Sequence, residues 1–200
     1  GLPRIIFINK MDRENADFNR ALESVQHVLA KGCTAIQVAI GAQQQFEGII
    51  DLMNPPADVP ASVAADVERL RGSMVETVVE SDDDLMARYL EGEEITQEEL
   101  AAGLKKAVLS GQIVPVLAGS TINAEGITEL LNAVVNLLPS PAEATATMAN
   151  TANGEVRLEA RADGPLATLV FKTTADPYVG TLSYLRVFSG TIKSDSQVWN

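Results

Sequence analysis

The chain has 200 residues, 46% of them hydrophobic, and a formal net charge of −12. A chain of that length and apolar content folds around a sizeable core, which excludes a disordered segment, and its acidity excludes nonspecific nucleic-acid binding by the chain as a whole, because phosphate affinity comes from Lys and Arg. One cysteine (Cys33) and one histidine (His27) exclude an intrachain disulfide and a His/Cys zinc site, and leave little room for histidine-based acid–base catalysis.

In chain order, residues 4–9 read as a strand, a β-branched and aromatic run of the kind that is buried. Asp17 to Lys31 has the spacing of an amphipathic helix, with Asp17 as N-cap and Gly32 as the stop. Thr34 to Ile40 predicts a strand ended by Gly41, and Phe46 to Leu52 a further one. Asn54-Pro55-Pro56 through Pro60 is a loop, since proline has no N–H to give. Ser62 to Glu80 is helical by its apolar spacing. Ser81-Asp82-Asp83-Asp84 caps a short helix through Leu90, and Thr96 with Glu99 forms a capping box for a helix to about Leu109. Ile113 to Leu117 is a second buried strand, and Ile127 to Leu138 a helix stopped by Pro139-Ser140-Pro141. Residues 142–163 lack a clear period and read as a linker that admits one strand near Val156 to Ala160. From Gly164 the pattern turns β-like: strands over Ala167–Lys172 and Gly180–Phe188, a turn at Ser189-Gly190, a restart at Thr191-Ile192 and another at Val198-Trp199. A barrel needs more strands than this to close, so this second domain reads as cut short. No apolar run approaches the roughly 20 residues that span a bilayer, and no signal-peptide pattern opens the chain. It starts without Met, as a processed chain or a piece of a longer one does.

Two loops carry the chemistry. Asn9-Lys10-Met11-Asp12 follows the first strand directly, at the strand end where open α/β sheets bind ligands. A carboxylate at Asp12 can accept from guanine N1–H and the 2-amino group; adenine offers neither proton and would leave that carboxylate unpaired, at roughly 1–3 kcal/mol or more. Asn9 can bridge the base edge and neighbouring loops, and the stem of Lys10 can lie over the ring with its ammonium wet. Ala118-Gly119-Ser120-Thr121 follows the second buried strand; Gly119 permits close approach, and the N–H groups of Ser120 and Thr121 are candidate donors to guanine O6. The acidic stretch between Glu76 and Glu99 reads as a solvated helical face or a docking surface. The carboxylates Asp82 to Asp84 sit in a capping run rather than a catalytic arrangement, and Cys33 has no His or second Cys beside it.

In order along the chain, Gly1 to Arg13 with Ala16-Asp17-Phe18, then Asp83 to Met86 with Tyr89 to Glu94, then Val114 to Ser120 with Gly126 and Leu137 to Pro141, and finally Phe171-Lys172, Asp176 to Gly180 and Arg186 to Gly190, resemble the translational GTPases, most closely the elongation factor G family. The resemblance implies an α/β fold: the C-terminal half of a P-loop GTPase domain over residues 1–141, with an inserted α+β G′ subdomain at about 41–111, and part of the domain II β-barrel over 164–200. It implies guanine contacts from Asn9, Lys10, Asp12, Ser120 and Thr121, the last standing where the family usually has Ala. It implies GTP or GDP with Mg²⁺ as ligands, the ribosome as partner, the ribosomal stalk protein as a contact of the G′ helices, and a cytoplasmic parent whose GTP hydrolysis drives translocation. The stretch between Leu52 and Ser62 is shorter than in typical members, which puts the G′ strands in question. No Gly-x-x-x-x-Gly-Lys-Ser/Thr occurs in these residues and no Asp-x-x-Gly motif precedes Asn9, so nothing here cradles phosphates or Mg²⁺. The expectation is a base-reading fragment that does not hydrolyse GTP alone and binds guanine nucleotide at millimolar strength or not at all. A ribosome protection protein, a paralogue of elongation factor G, and a non-catalytic ribosome-docking module stay open as alternatives.

Overall fold

A computed structural model describes residues 2–29, 32–144, 147–151 and 154–198. The chain divides into two compact units, Gly1–Leu138 and Pro139–Asn200.

In the first unit, β1 (Ile6–Ile8), β5 (Val114–Ala118) and β2 (Cys33–Ala35) form a parallel sheet in the order β1-β5-β2. β5 is buried along its whole length, as expected of a parallel strand with both faces covered. Pro115 lies in it, paired with Thr34. Val114 N–H turns toward β2, to Gly32 O at 2.9 Å, and Gly119 N–H toward β1, to Ile8 O at 3.0 Å. The side of Pro115 that has no N–H therefore faces β1, one step before that pairing begins at Ile6 and Val116. This is why β1 starts at Ile6 and not at the predicted Arg4.

Helix α1 (Phe18–Val28) is capped by Asp17, whose carboxylate accepts from Arg20 N–H at 2.9 Å. The helix ends at Val28 with Leu29 as its C-cap; the predicted end at Lys31 lies outside the described residues. Gly32 is not a left-handed stop. A Cβ there would meet Gln112 O at 2.4 Å, so the residue serves backbone approach instead. The single strand expected over Thr34–Ile40 is two. Ile36 donates to Val116 O and accepts from Leu52 N–H, so the chain leaves the parallel sheet there and β3 (Gln37–Ile40) pairs antiparallel with β4 (Gly48–Asp51). Gly41 makes the turn between them with φ +70°, where a Cβ would overlap Gln45 O.

Among the described residues no strand lies between Asp51 and α2 (Ala64–Glu80). Helices α3 (Asp83–Leu90) and α4 (Gln97–Ser110) follow. Val67, Leu70, Met74 and Val78 of α2 share one apolar core with Leu100, Leu104 and Val108 of α4 and with the sheet. Gly103 lets α4 come close, since a Cβ would sit 2.9 Å from Leu85 and 3.0 Å from Val78. Asn19 of α1 donates to Asp66 of α2, and Arg69 pairs with the same carboxylate at 2.7 Å.

Part of the acidic stretch is engaged rather than free. Asp82 caps α3 and pairs with Lys106 of α4 at 2.6 Å, and Arg88 binds both Glu93 and Glu99. The capping box of Thr96 and Glu99 is complete. Arg88 first, then the Thr96 N–H, hold the Glu99 carboxyl down at about 2 from an ordinary 4.5. A depressed carboxyl stabilises fully above its unfolded value and loses that contribution as pH falls through its folded value. The Glu99 resonance should therefore titrate near pH 2, with the helices losing stability from about pH 4.5 downward; a midpoint at the ordinary glutamate value would refute the clasp. Thr96→Ala should cost about 1 kcal/mol in thermal or urea unfolding.

Helix α5 (Ile127–Leu137) closes the first unit. The second unit holds two antiparallel hairpins, β6 (Thr147–Thr151) with β7 (Gly154–Leu158), and β8 (Ala167–Asp176) with β9 (Gly180–Ser189). In the stretch expected as a linker at 142–163, β7 overlaps the strand admitted near Val156 to Ala160, and β6 is an addition. Nearly every residue of that hairpin is exposed, so neither face imposes the alternation by which a strand is read. At the other turn the Asp176 carboxylate accepts from the N–H groups of Tyr178 and Val179, and Gly180 takes φ +88°. No strand forms at Thr191-Ile192; the Thr191 hydroxyl donates to Ala162 O instead. Val198 is outside any strand, and Trp199 lies outside the described residues.

Candidate functional site

The register of β1 on β5 sets Ile8 beside Ala118, so the loops that follow leave from one edge of the sheet. Their backbones are knit together: Gly119 N–H donates to Ile8 O at 3.0 Å, and Met11 N–H to Gly119 O at 3.1 Å. Met11, 1% exposed, is the apolar plug that holds the first loop down.

The polar residues of the two loops pair across this seam. Asn9 Oδ1 accepts from its neighbour Lys10 N–H at 2.7 Å and from Thr121 N–H at 3.1 Å, and Asn9 Nδ2 donates to Thr121 Oγ1 at 3.2 Å. Ser120 Oγ donates to Asp12 Oδ1 at 2.5 Å and accepts from Asn123 N–H at 3.2 Å. Ser120 is fully buried, Asp12 half-buried, and Asn9, Lys10 and Thr121 exposed. The arrangement is thus a polar edge open to solvent, with one carboxylate fixed from behind by a hydroxyl. A carboxylate has about four lone-pair sites, and Ser120 takes one of them. Two adjacent N–H donors on a flat ring suit the rest.

Glycines let the loops close. A Cβ on Gly119 would stand 2.4 Å from Glu125 O and 2.7 Å from the Phe7 ring. Gly126 has φ +78°, and a Cβ there would stand 2.4 Å from Ala118 O. Ser120 and Glu125 exchange backbone hydrogen bonds at 2.9 and 3.1 Å across the turn between them. Lys10 is held at φ +66°, a conformation that costs a non-glycine residue about 1–2 kcal/mol.

The structure brings together all five residues singled out in the sequence, and it corrects one detail. The Ser120 N–H is spent on Glu125 O, in a residue with no exposed surface, so it does not donate to a base. Thr121 is an exposed residue, but its N–H is likewise engaged, donating to Asn9 Oδ1 at 3.1 Å. Three supports were missed: Asn123, Glu125 and Gln43, whose N–H donates to Met11 O at 2.9 Å. Gln43, Gln44 and Gln45 stand with Asp12 and Glu14 around a polar cavity of about 670 Å³. The one signal for that turn was Gly41.

Residues 1–140 match the family described as the elongation factor Tu GTP binding domain. Over its whole length the chain is also 42% identical to elongation factor G of Aquifex pyrophilus. The chain belongs to the translational GTPases, with elongation factor G among its relatives. It spans 31% of that relative's length. It also resembles the crystal structure of a Thermus thermophilus protein, at 30% identity and a TM-score of 0.75 over 95% of this chain and 28% of that one. The parallel sheet with helices is the α/β fold of a partial P-loop GTPase domain, as the family requires. The alignment to the Aquifex factor runs over 217 positions against 200 residues here, in keeping with a chain shorter than its relative somewhere along its length.

Proposed function

We propose that this chain carries the guanine-reading part of a ribosomal translocation GTPase of the elongation factor G kind. The carrying observation is the pairing of Asp12 with Ser120 and of Asn9 with Thr121 across the β1–β5 seam. In this reading Asp12 accepts from guanine N1–H and the 2-amino group, and Ser120 positions Asp12 without touching the base. Asn9 locks the second loop and meets the base edge with its remaining amide N–H; Thr121, its own N–H held by Asn9 Oδ1, walls the pocket beside O6; the Lys10 stem covers the ring. Selectivity follows because adenine would leave the Asp12 carboxylate unpaired.

Residues 1–141 would be the partial G domain with its G′ insert at about 41–111, and residues from 164 onward the opening strands of domain II. GTP or GDP would be the ligand. These 200 residues contain no phosphate-binding glycine–lysine run, so none is assigned to the phosphates or to Mg²⁺. Phosphoryl transfer rests on those parts, and hydrolysis is assigned to the whole protein acting on the ribosome in the cytoplasm. The exposed carboxylates Glu76, Glu80, Asp83, Asp84 and Glu91 on and beside α2 and α3 are the face offered to the ribosomal stalk protein. Among the described residues, no helix is long and apolar enough to cross a membrane.

Saturation-transfer NMR of the 200-residue chain with GDP, IDP and ADP tests the base site. Millimolar binding is expected for GDP, weaker binding for IDP, which lacks the 2-amino group, and none for ADP. Equal transfer to GDP and ADP would overturn the reading.

A further inference from the structure

A second cavity, of about 510 Å³, opens between α4, α5 and the end of β4. That volume lies in the range of small-molecule sites. Its floor is apolar: Ile36, Leu104, Leu117, Ala133 and Leu137, each 8% exposed or less. None of the five base-site residues lines it.

One polar side chain reaches this floor. Gln37 is 3% exposed, and its Oε1 accepts from Ala118 N–H at 3.3 Å. Its Nε2 has no protein partner among the described residues, and no buried side-chain polar atom there lacks a partner. That nitrogen is therefore not sealed in protein. Gln37 lines the cavity, so the cavity is the open space beside its side chain in which that nitrogen can find a partner. Asp51 is the cross-strand partner of Gln37, so the two side chains rise from the same face of the β3–β4 hairpin, roughly 5 Å apart at their Cβ atoms. Glu129 of α5 lines the mouth as a second carboxylate, and Lys105 and Arg71 stand near as cations. The Asp51 carboxyl is pushed up from its ordinary value, first by burial and further by Glu129, against the N–H groups of Met53 and Asn54 and the charge of Arg71.

A donor beside a carboxylate, above an apolar floor, defines a ligand. It needs a carbonyl next to a protonated amine, with an apolar group attached. We propose that this cavity binds an α-amino carboxamide with an apolar side chain, whether a free amino-acid amide or the N-terminus of a peptide. The carbonyl accepts from Gln37 Nε2, the ammonium pairs with Asp51, and the side chain fills the floor. Water can serve Gln37 in the free protein, and the carbonyl replaces it without loss of a hydrogen bond.

The test is titration of the whole chain with L-phenylalaninamide, read in ¹H–¹⁵N spectra. Saturable shifts of the Gln37 side-chain NH₂ and of α4 and α5 amides are expected. N-acetyl-L-phenylalaninamide, which has no cation, and glycinamide, which has no apolar body, should each bind at least about tenfold more weakly, as should L-phenylalaninamide to Asp51→Asn. Ala101→Trp, on an exposed position of α4 at the mouth, should abolish the shifts while leaving the fold intact. A Phe-Ala dipeptide amide separates the sources: affinity equal to or above that of the amide assigns a peptide N-terminus, and lower affinity a free amino amide. An unmoved Gln37 side chain, or equal affinity for the acetylated probe, would overturn the proposal, whatever the base site does.

Discussion

Asp12→Asn should turn the preference of the base site from guanine to xanthine. The carboxylate only accepts, which matches the N1–H and 2-amino donors of guanine. An amide presents an NH₂ where the carboxylate presented an oxygen, and xanthine has a carbonyl in place of the 2-amino group. Hydrogen bonds to a charged group are worth about 1.5–3 kcal/mol, so the loss for GDP should be roughly ten- to a hundredfold, with a gain for XDP. The substitution keeps the side-chain shape, and the Ser120 hydroxyl can still donate to the amide oxygen, so the loops should stay closed. Competition between GDP and XDP in saturation-transfer NMR, run on both proteins, reads the switch directly. An Asp12→Asn chain that still prefers GDP would mean that Asp12 does not face the base.

Gly126→Ala should be among the most damaging single-methyl additions in the chain. Two effects add. Gly126 has φ +78°, and the new Cβ would lie 2.4 Å from Ala118 O, a backbone atom of the central strand that cannot swing away. The expected cost is about 3 kcal/mol or more, a fall in Tm of roughly 6–12 °C. Gly111→Ala is the control, since Gly111 has φ +80° with nothing within 4 Å of its Cβ, so it carries the conformational cost alone. Its expected loss is about 1–2 kcal/mol. Equal losses in the two variants would show that the seam between Ala118 and Gly126 tolerates movement, and that the second loop is held less tightly than its hydrogen bonds imply.

Much of the site was legible because its signals are local. Asn9, Lys10 and Asp12 follow an apolar run directly, and Gly119-Ser120-Thr121 follows another, so each loop announces itself within a short stretch of sequence. The capping box of Thr96 and Glu99 and the Asp17 cap are local in the same way, and both formed as expected. What could not be read is what depends on residues far apart. The fate of the Ser120 N–H could not be read either, although its acceptor is close in sequence: Glu125 O comes within reach only when the turn folds back. The break at Ile36 was hidden because nothing in Thr34 to Ile40 marks an interruption, while its two halves pair with different partners. In the β6–β7 hairpin only the region of β7 was read, and β6 was missed because no buried face marks it.

The order of elements, the helix caps, the two polar loops and the family itself were written in the chain, because each rests on neighbouring residues or on a pattern repeated along them. Tertiary structure alone decided that Asp12 and Ser120 touch across 108 positions, that Asn9 locks Thr121, and that Gln37 stands beside Asp51 over an apolar floor. The reason is register. A parallel strand pairs with whatever the core places beside it, and that choice is made by the burial of Met11, Leu117 and Val116 together, not by any one segment.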